Sequence, residues 1–84
     1  MNFTATIMGI IAAWSKEHDI CVNVSLDFMD GSLSLVYSFT DTKMAKVWNK
    51  KFSNSFLNEC QYTLYELTLE VLKEAEKNLI GGNN

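Results

Sequence analysis

His18 and Cys21 stand three residues apart, and a thiol beside an imidazole is the smallest unit of nucleophilic chemistry this chain offers. A cysteine nucleophile needs a nearby base and a lowered pKa. Here each residue has a plainer account. His18 falls at the expected end of a helix, where an imidazolium meets the carbonyl dipoles. Cys21 falls on the polar side of a strand beside Asn23, with no third group to orient it. Metal ligation is no better served: His18 is the only histidine, Cys21 and Cys60 are far apart, and neither CxxC nor HxxxH spacing occurs. Asp27 and Asp30 lack the regular carboxylate spacing of a calcium loop. There is no GxGxxG, P-loop or GxSxG. The reading is a non-enzyme with no cofactor and no metal.

Charge is patterned in two places. Lys43, Lys46, Lys50 and Lys51 cluster beside Trp48 and Asn49, a combination that can contact a phosphate backbone; its default account is a solvated helix face. Glu59, Glu66, Glu70 and Glu74 form an acidic row, partly neutralised by i,i+3 pairs from Glu70 to Lys73 and Glu74 to Lys77. The default is again a solvated face. The sharper reading is that the row imitates the phosphate spacing of a nucleic acid and enters a basic groove on a partner. The formal net charge is −3, with ten acidic residues against seven lysines and no arginine. Bidentate reading of guanine or phosphate normally uses arginine, so nucleic acid is the weaker partner class.

The elements that must position these residues are organised around Ile20 to Thr40. Ile20, Val22, Val24, Leu26 and Phe28 alternate with Cys21, Asn23, Ser25 and Asp27. After Asp30-Gly31, Leu33, Leu35, Tyr37 and Phe39 alternate with Ser34, Val36, Ser38 and Thr40. Period-two alternation on both sides of Asp-Gly specifies a hairpin closed by a type I′ turn. The turn sets Phe28 against Leu33, Leu26 against Leu35, Val24 against Tyr37 and Val22 against Phe39, and a one-residue slip would destroy the match.

Before the hairpin, Phe3, Ile7, Ile10, Ile11 and Trp14 recur at helical spacing and predict a helix over 3–17, capped by Asn2 or Thr4. Its Ala5, Gly9 and Ala12 make a small-residue side. After the hairpin, Asp41-Thr42 reads as an N-cap, predicting a helix through Met44, Val47, Trp48 and Phe52 that carries the lysines on one stripe. Ser53-Asn54-Ser55 predicts a bend. A long helix is then expected over about 55–79, with Leu57, Cys60, Leu64, Leu67, Val71 and Ala75 as a core stripe and Cys60 a small buried hydrophobe. Gly81-Gly82 ends it, and 81–84 is a tail. The expectation is a single small α+β domain over 1–80, in the order α-β-β-α-α, with an antiparallel hairpin covered by helices and a long C-terminal helix.

Two features predict self-association. A lone hairpin leaves both edges unpaired. Tyr62, Tyr65, Leu69 and Leu72 widen the apolar arc of the long helix beyond what one core needs. A homodimer pairing long helices or joining hairpins resolves both, and a surplus face that binds another protein is the alternative. Two distant cysteines suit free thiols in a reducing cytoplasm. The run Ile7 to Trp14 is too short to span a bilayer, and no basic n-region precedes it, so no membrane is expected. The functional expectation is a small acidic protein that binds another protein, as a homodimer. A lysine-, asparagine- and isoleucine-rich composition without arginine suits a phage or mobile-element accessory factor, for example an inhibitor of a host nucleic-acid-handling or CRISPR complex. The alternatives are a dimeric nucleic-acid-binding regulator that uses the Lys43–Lys51 helix, and a structural or assembly component.

Overall fold

The computed structural model describes residues 3–81; the Asn2 cap and the Gly82–Asn84 tail lie outside them. Helix α1 runs Phe3–His18, strand β1 Cys21–Met29, β2 Ser32–Asp41, β3 Lys46–Ser53, helix α2 Asn54–Glu59 and α3 Leu64–Leu79. The class is α+β, in the order α-β-β-β-α-α. The strands form an antiparallel meander with β2 in the centre.

The hairpin forms as the alternation requires. Val22 faces Phe39, Val24 faces Tyr37, Leu26 faces Leu35 and Phe28 faces Leu33. Asp30 and Gly31 take φ of 54° and 75°, the double left-handed conformation of a type I′ turn. Helix α1 stops just as definitely. Asp19 adopts φ 57°, and the Ile20 N–H donates to the Ser15 carbonyl at 3.2 Å, the six-to-one bond of a Schellman closure. The Ser15 hydroxyl donates to the Ile20 carbonyl at 2.6 Å, and the buried Ile20 side chain anchors the start of β1.

The expected helix after Asp41 is a strand instead. Asp41 does what an N-cap does: its Oδ1 accepts from the backbone N–H groups of Lys43 at 3.1 Å and Met44 at 3.2 Å. A cap and an Asx-type turn share that chemistry. Ala45, at φ 55°, reverses the chain, and Lys46–Ser53 returns along β2 with Phe39 opposite Trp48 and Leu35 opposite Phe52. The strand was masked because Lys46 and Lys50 occupy core-side positions, so its period-two pattern is not apolar. The Lys50 stem lies against Phe52, with Nζ 5.7 Å from the ring centroid, while the ammonium reaches Glu74 at 3.4 Å.

The long helix is likewise two helices. Ser53 caps α2, its hydroxyl accepting from Phe56 N–H at 3.1 Å, so the Ser53-Asn54-Ser55 break falls where expected. Thr63 opens α3 with a capping box: its hydroxyl accepts from Glu66 N–H, and the Glu66 carboxylate accepts from Thr63 N–H at 2.9 Å. The signal Thr63-x-x-Glu66 stands in the sequence, overridden in the periodic reading by the apolar run around it. Cys60 is therefore not on a core stripe. It is the half-buried C-cap of α2, its thiol donating to the Tyr62 carbonyl at 3.6 Å. Leu57 packs from α2 onto the core, whereas Leu64 is exposed.

Helices α1 and α3 lie on one face of the sheet. Trp14 meets Phe39 edge-on at 5.4 Å, Tyr37 meets Phe52 edge-on at 6.1 Å, and Leu67, Val71, Leu72, Ala75 and Leu79 close the core from α3. At its centre the Tyr37 hydroxyl and Thr68 Oγ1 share a buried 2.8 Å hydrogen bond. Among the described residues no helix is long and apolar enough to cross a membrane.

Candidate functional site

The helical cover is shorter than the sheet it covers. Strands β1 and β2 run nine and ten residues, about 30 Å at 3.4 Å per residue. Helix α1 meets β1 at its beginning, next to Val22, because the Schellman closure at Ile20 turns the chain back immediately. On β2 the same face stays covered at Tyr37 and Leu35, but beyond Val22 its β1 side and the Leu33 end lose their cover. Val24 is 40% exposed, Leu26 66%, Phe28 73% and Leu33 37%. The alternation that predicts a covered face is thus right in register and only half right in burial.

This uncovered stripe lies beside an open edge. Among the described residues the order β1-β2-β3 leaves both outer strands with a free edge, and the two are unlike. Strand β3 carries Lys46, Lys50 and Lys51, the charged guard that natural edges use against unwanted pairing. Strand β1, CVNVSLDFM, carries one charge, Asp27, among four core-side apolar residues. Between its start and α1 runs a shallow groove lined by Met8, Ile11, Ala12, Ser15, Val22, Asn23 and Val24. Met8 is strongly exposed on the rim.

The residues singled out from sequence are distributed as follows. Tyr62 lines a groove with Phe52, Phe56 and Leu67, whereas Leu69 and Leu72 line a different one between α1 and α3 with Ile10 and Trp14. Tyr65 and Leu69 are exposed, but Leu72 is core, only 4% exposed. The four do not make one surface, because Tyr62 precedes α3 and does not continue its face. In the acidic row, Glu59 ends α2, Glu66 is committed to the Thr63 cap, Glu70 pairs with Lys73 at 3.6 Å and Glu74 with Lys50. The lysines share no helical stripe. Lys46 and Lys50 are on the core side of β3, Lys51 is on the opposite side, and Lys43 sits in the turn paired with Asp19 at 3.0 Å. The His18 ring packs against Trp14, with centroids 4.6 Å apart, while Cys21 is exposed on the polar sheet face.

Among the described residues no group of three or more His, Cys, Asp or Glu side chains is placed to hold a metal ion. Tyr37 has a perturbed titration: burial pushes its phenol above the usual tyrosine range, against a smaller opposing effect of the Thr68 hydrogen bond. No family model matches the chain, and no curated protein or solved structure matches it either.

Proposed function

We propose that this chain is a non-enzymatic protein-binding factor, accessory or inhibitory in kind, that works by docking the far half of its hairpin onto protein. One observation carries the reading: Val24, Leu26, Phe28 and Leu33 form a contiguous apolar stripe on ordered strands, exposed beside an unguarded edge. Contiguous apolar surface at such a place marks an interaction site, and its removal from water at about 25 cal/mol per Å² supplies the driving force. An extended backbone edge adds main-chain hydrogen bonds, the mode by which sheets capture a further strand.

The test compares the immobilised chain with Leu26→Lys/Phe28→Lys as baits in an extract of its native cells, after circular dichroism has shown that both are folded. Proteins held by the parent and released by the variant are the expected result. Identical retention by the two baits refutes the reading. Both side chains are exposed, so neither substitution disturbs the core.

A further inference from the structure

We infer that the partner docked along the far half of the hairpin is a second copy of this chain, joined edge to edge through β1 about a two-fold axis at Ser25, with the two apolar faces side by side. The inference rests on the reading of that face as protein-binding and names its occupant.

The first argument is the direction of the backbone groups. A two-residue hairpin loop makes the flanking Met29–Ser32 pair a hydrogen-bonded one. Counting back by twos, the odd-numbered residues of β1 exchange hydrogen bonds with β2. Val22, Val24, Leu26 and Phe28 therefore point their N–H and C=O groups out from the open edge. An antiparallel copy centred on Ser25 sets Val22 against the second copy's Phe28 and Val24 against its Leu26, so every outward donor finds an acceptor. The same pairing keeps the apolar residues of both copies on one face, and it uses all nine residues of the strand.

The second argument is shape. Phe28 and Leu26 protrude at one end of β1, and the groove lined by Met8, Ile11 and Val22 lies at the other end, on the same face. The two-fold at Ser25 carries each protruding end to the other copy's groove. Phe28 and Val22 stand three residues to either side of Ser25, so the two-fold sets knob against recess twice, as an isologous interface requires. The third argument is charge. Asp27, the sole charge on β1, meets Asn23 in this register, an amide that can donate to it. Moving the axis two residues to Asp27 would set carboxylate against carboxylate, which is destabilising. The product is a six-stranded sheet, β3-β2-β1-β1-β2-β3, with lysine-guarded edges at both ends and no unguarded edge left.

The experiment uses the full chain. Light scattering over a dilution series reads the mass, and amide hydrogen exchange is followed at high and low concentration. The expected result is a mass twice that of the chain, with protection of Val22, Val24, Leu26 and Phe28 lost on dilution while Cys21, Asn23, Ser25 and Asp27 stay protected throughout. Register is read separately by mild oxidation of Cys21→Ser/Cys60→Ser/Ser25→Cys, which should run as a covalent dimer. In the same background Asn23→Cys should not, because its copies lie roughly 14 Å apart along the strand, beyond disulfide reach. A chain-mass species at every concentration overturns the second copy as occupant but leaves the comparison of baits to decide the docking face itself. A dimer whose even-numbered amides exchange freely, or one that cross-links through Asn23→Cys and not Ser25→Cys, overturns the β1 pairing. The exchange measurement needs no substitution, so it stands even where a cysteine variant fails to fold.

Discussion

The bond between Tyr37 and Thr68 is a side-chain hydrogen bond at the heart of the core, and a double-mutant cycle tests what it contributes. Each residue is 1% exposed, and their oxygens are 2.8 Å apart. Removing one partner strands the other hydroxyl away from water, at a cost of about 1–3 kcal/mol, whereas replacing both with apolar groups of like shape is nearly neutral. The two singles should differ. After Tyr37→Phe the Thr68 hydroxyl can turn to the backbone carbonyl one helical turn earlier, which places the loss near the lower end, about 1 kcal/mol. After Thr68→Val the Tyr37 phenol has no such fallback, so the loss should be about 2 kcal/mol. The double variant should be nearly neutral, within about 0.5 kcal/mol of the parent and well short of the sum. Urea unfolding followed by far-ultraviolet circular dichroism reads these values. With a slope of about 1–2 kcal/mol per M, each kcal/mol moves the midpoint by roughly 0.5–1 M. A double variant equal to the sum of the singles within about 0.5 kcal/mol would show the bond to be incidental.

The same residue predicts an alkaline limb. Burial raises the Tyr37 pKa above 10.0, so from about pH 10 the unfolded chain releases this proton while the folded chain keeps it. The folded state then binds more protons, and stability, intact below pH 10, falls as pH rises; urea midpoints between pH 8.5 and 11 should fall less steeply in Tyr37→Phe. Ala45 sits at φ 55°, where an L-residue is strained by about 1–2 kcal/mol and glycine is not. Allowing for the greater chain entropy of glycine, Ala45→Gly should gain about 0.5–1 kcal/mol and raise the melting temperature by roughly 4 °C; an unchanged or lower value would mean that no strain is held there. Thr63→Ala removes one side of the capping box of α3 and should cost about 1 kcal/mol, with Thr63→Ser restoring most of it in the same thermal melt.

The hairpin and the lysine segment show where sequence reasoning reaches and where it stops. In β1 and β2 the side-chain period, the Asp30-Gly31 turn and the pairing of apolar with apolar all agree, and the register follows from them alone. In 41–53 the local signals conflict. The carboxylate of Asp41 satisfies two backbone donors equally well at a helix start and in a tight turn, and Met44, Val47, Trp48 and Phe52 are spaced for a helix. The strand is chosen because β2 otherwise presents an unpaired edge, and because Lys50 at a core-side position finds Glu74, 24 residues later in the chain, and the ring of Phe52. Neither condition is local.

The candidate site divides the same way. Its residues were legible: Val24, Leu26, Phe28 and Leu33 share one face by parity, whatever lies above them. Their exposure was not, because alternation says which residues face together and nothing of how far a helix extends over them. The amino-acid sequence by itself determined the hairpin, its register, the amphipathic α1 and the break at Ser53, since each depends on torsions and hydrogen bonds within a few residues. The capping box of Thr63 and Glu66 is as local, but the apolar periodicity across it points to one long helix. Only the tertiary structure decided that Lys46–Ser53 completes the sheet and that β1 is left at its unguarded edge. It also decided that half of the hairpin's apolar face stands beyond the helices. Those outcomes depend on which distant surfaces meet and how far each reaches, and no short window of sequence contains them.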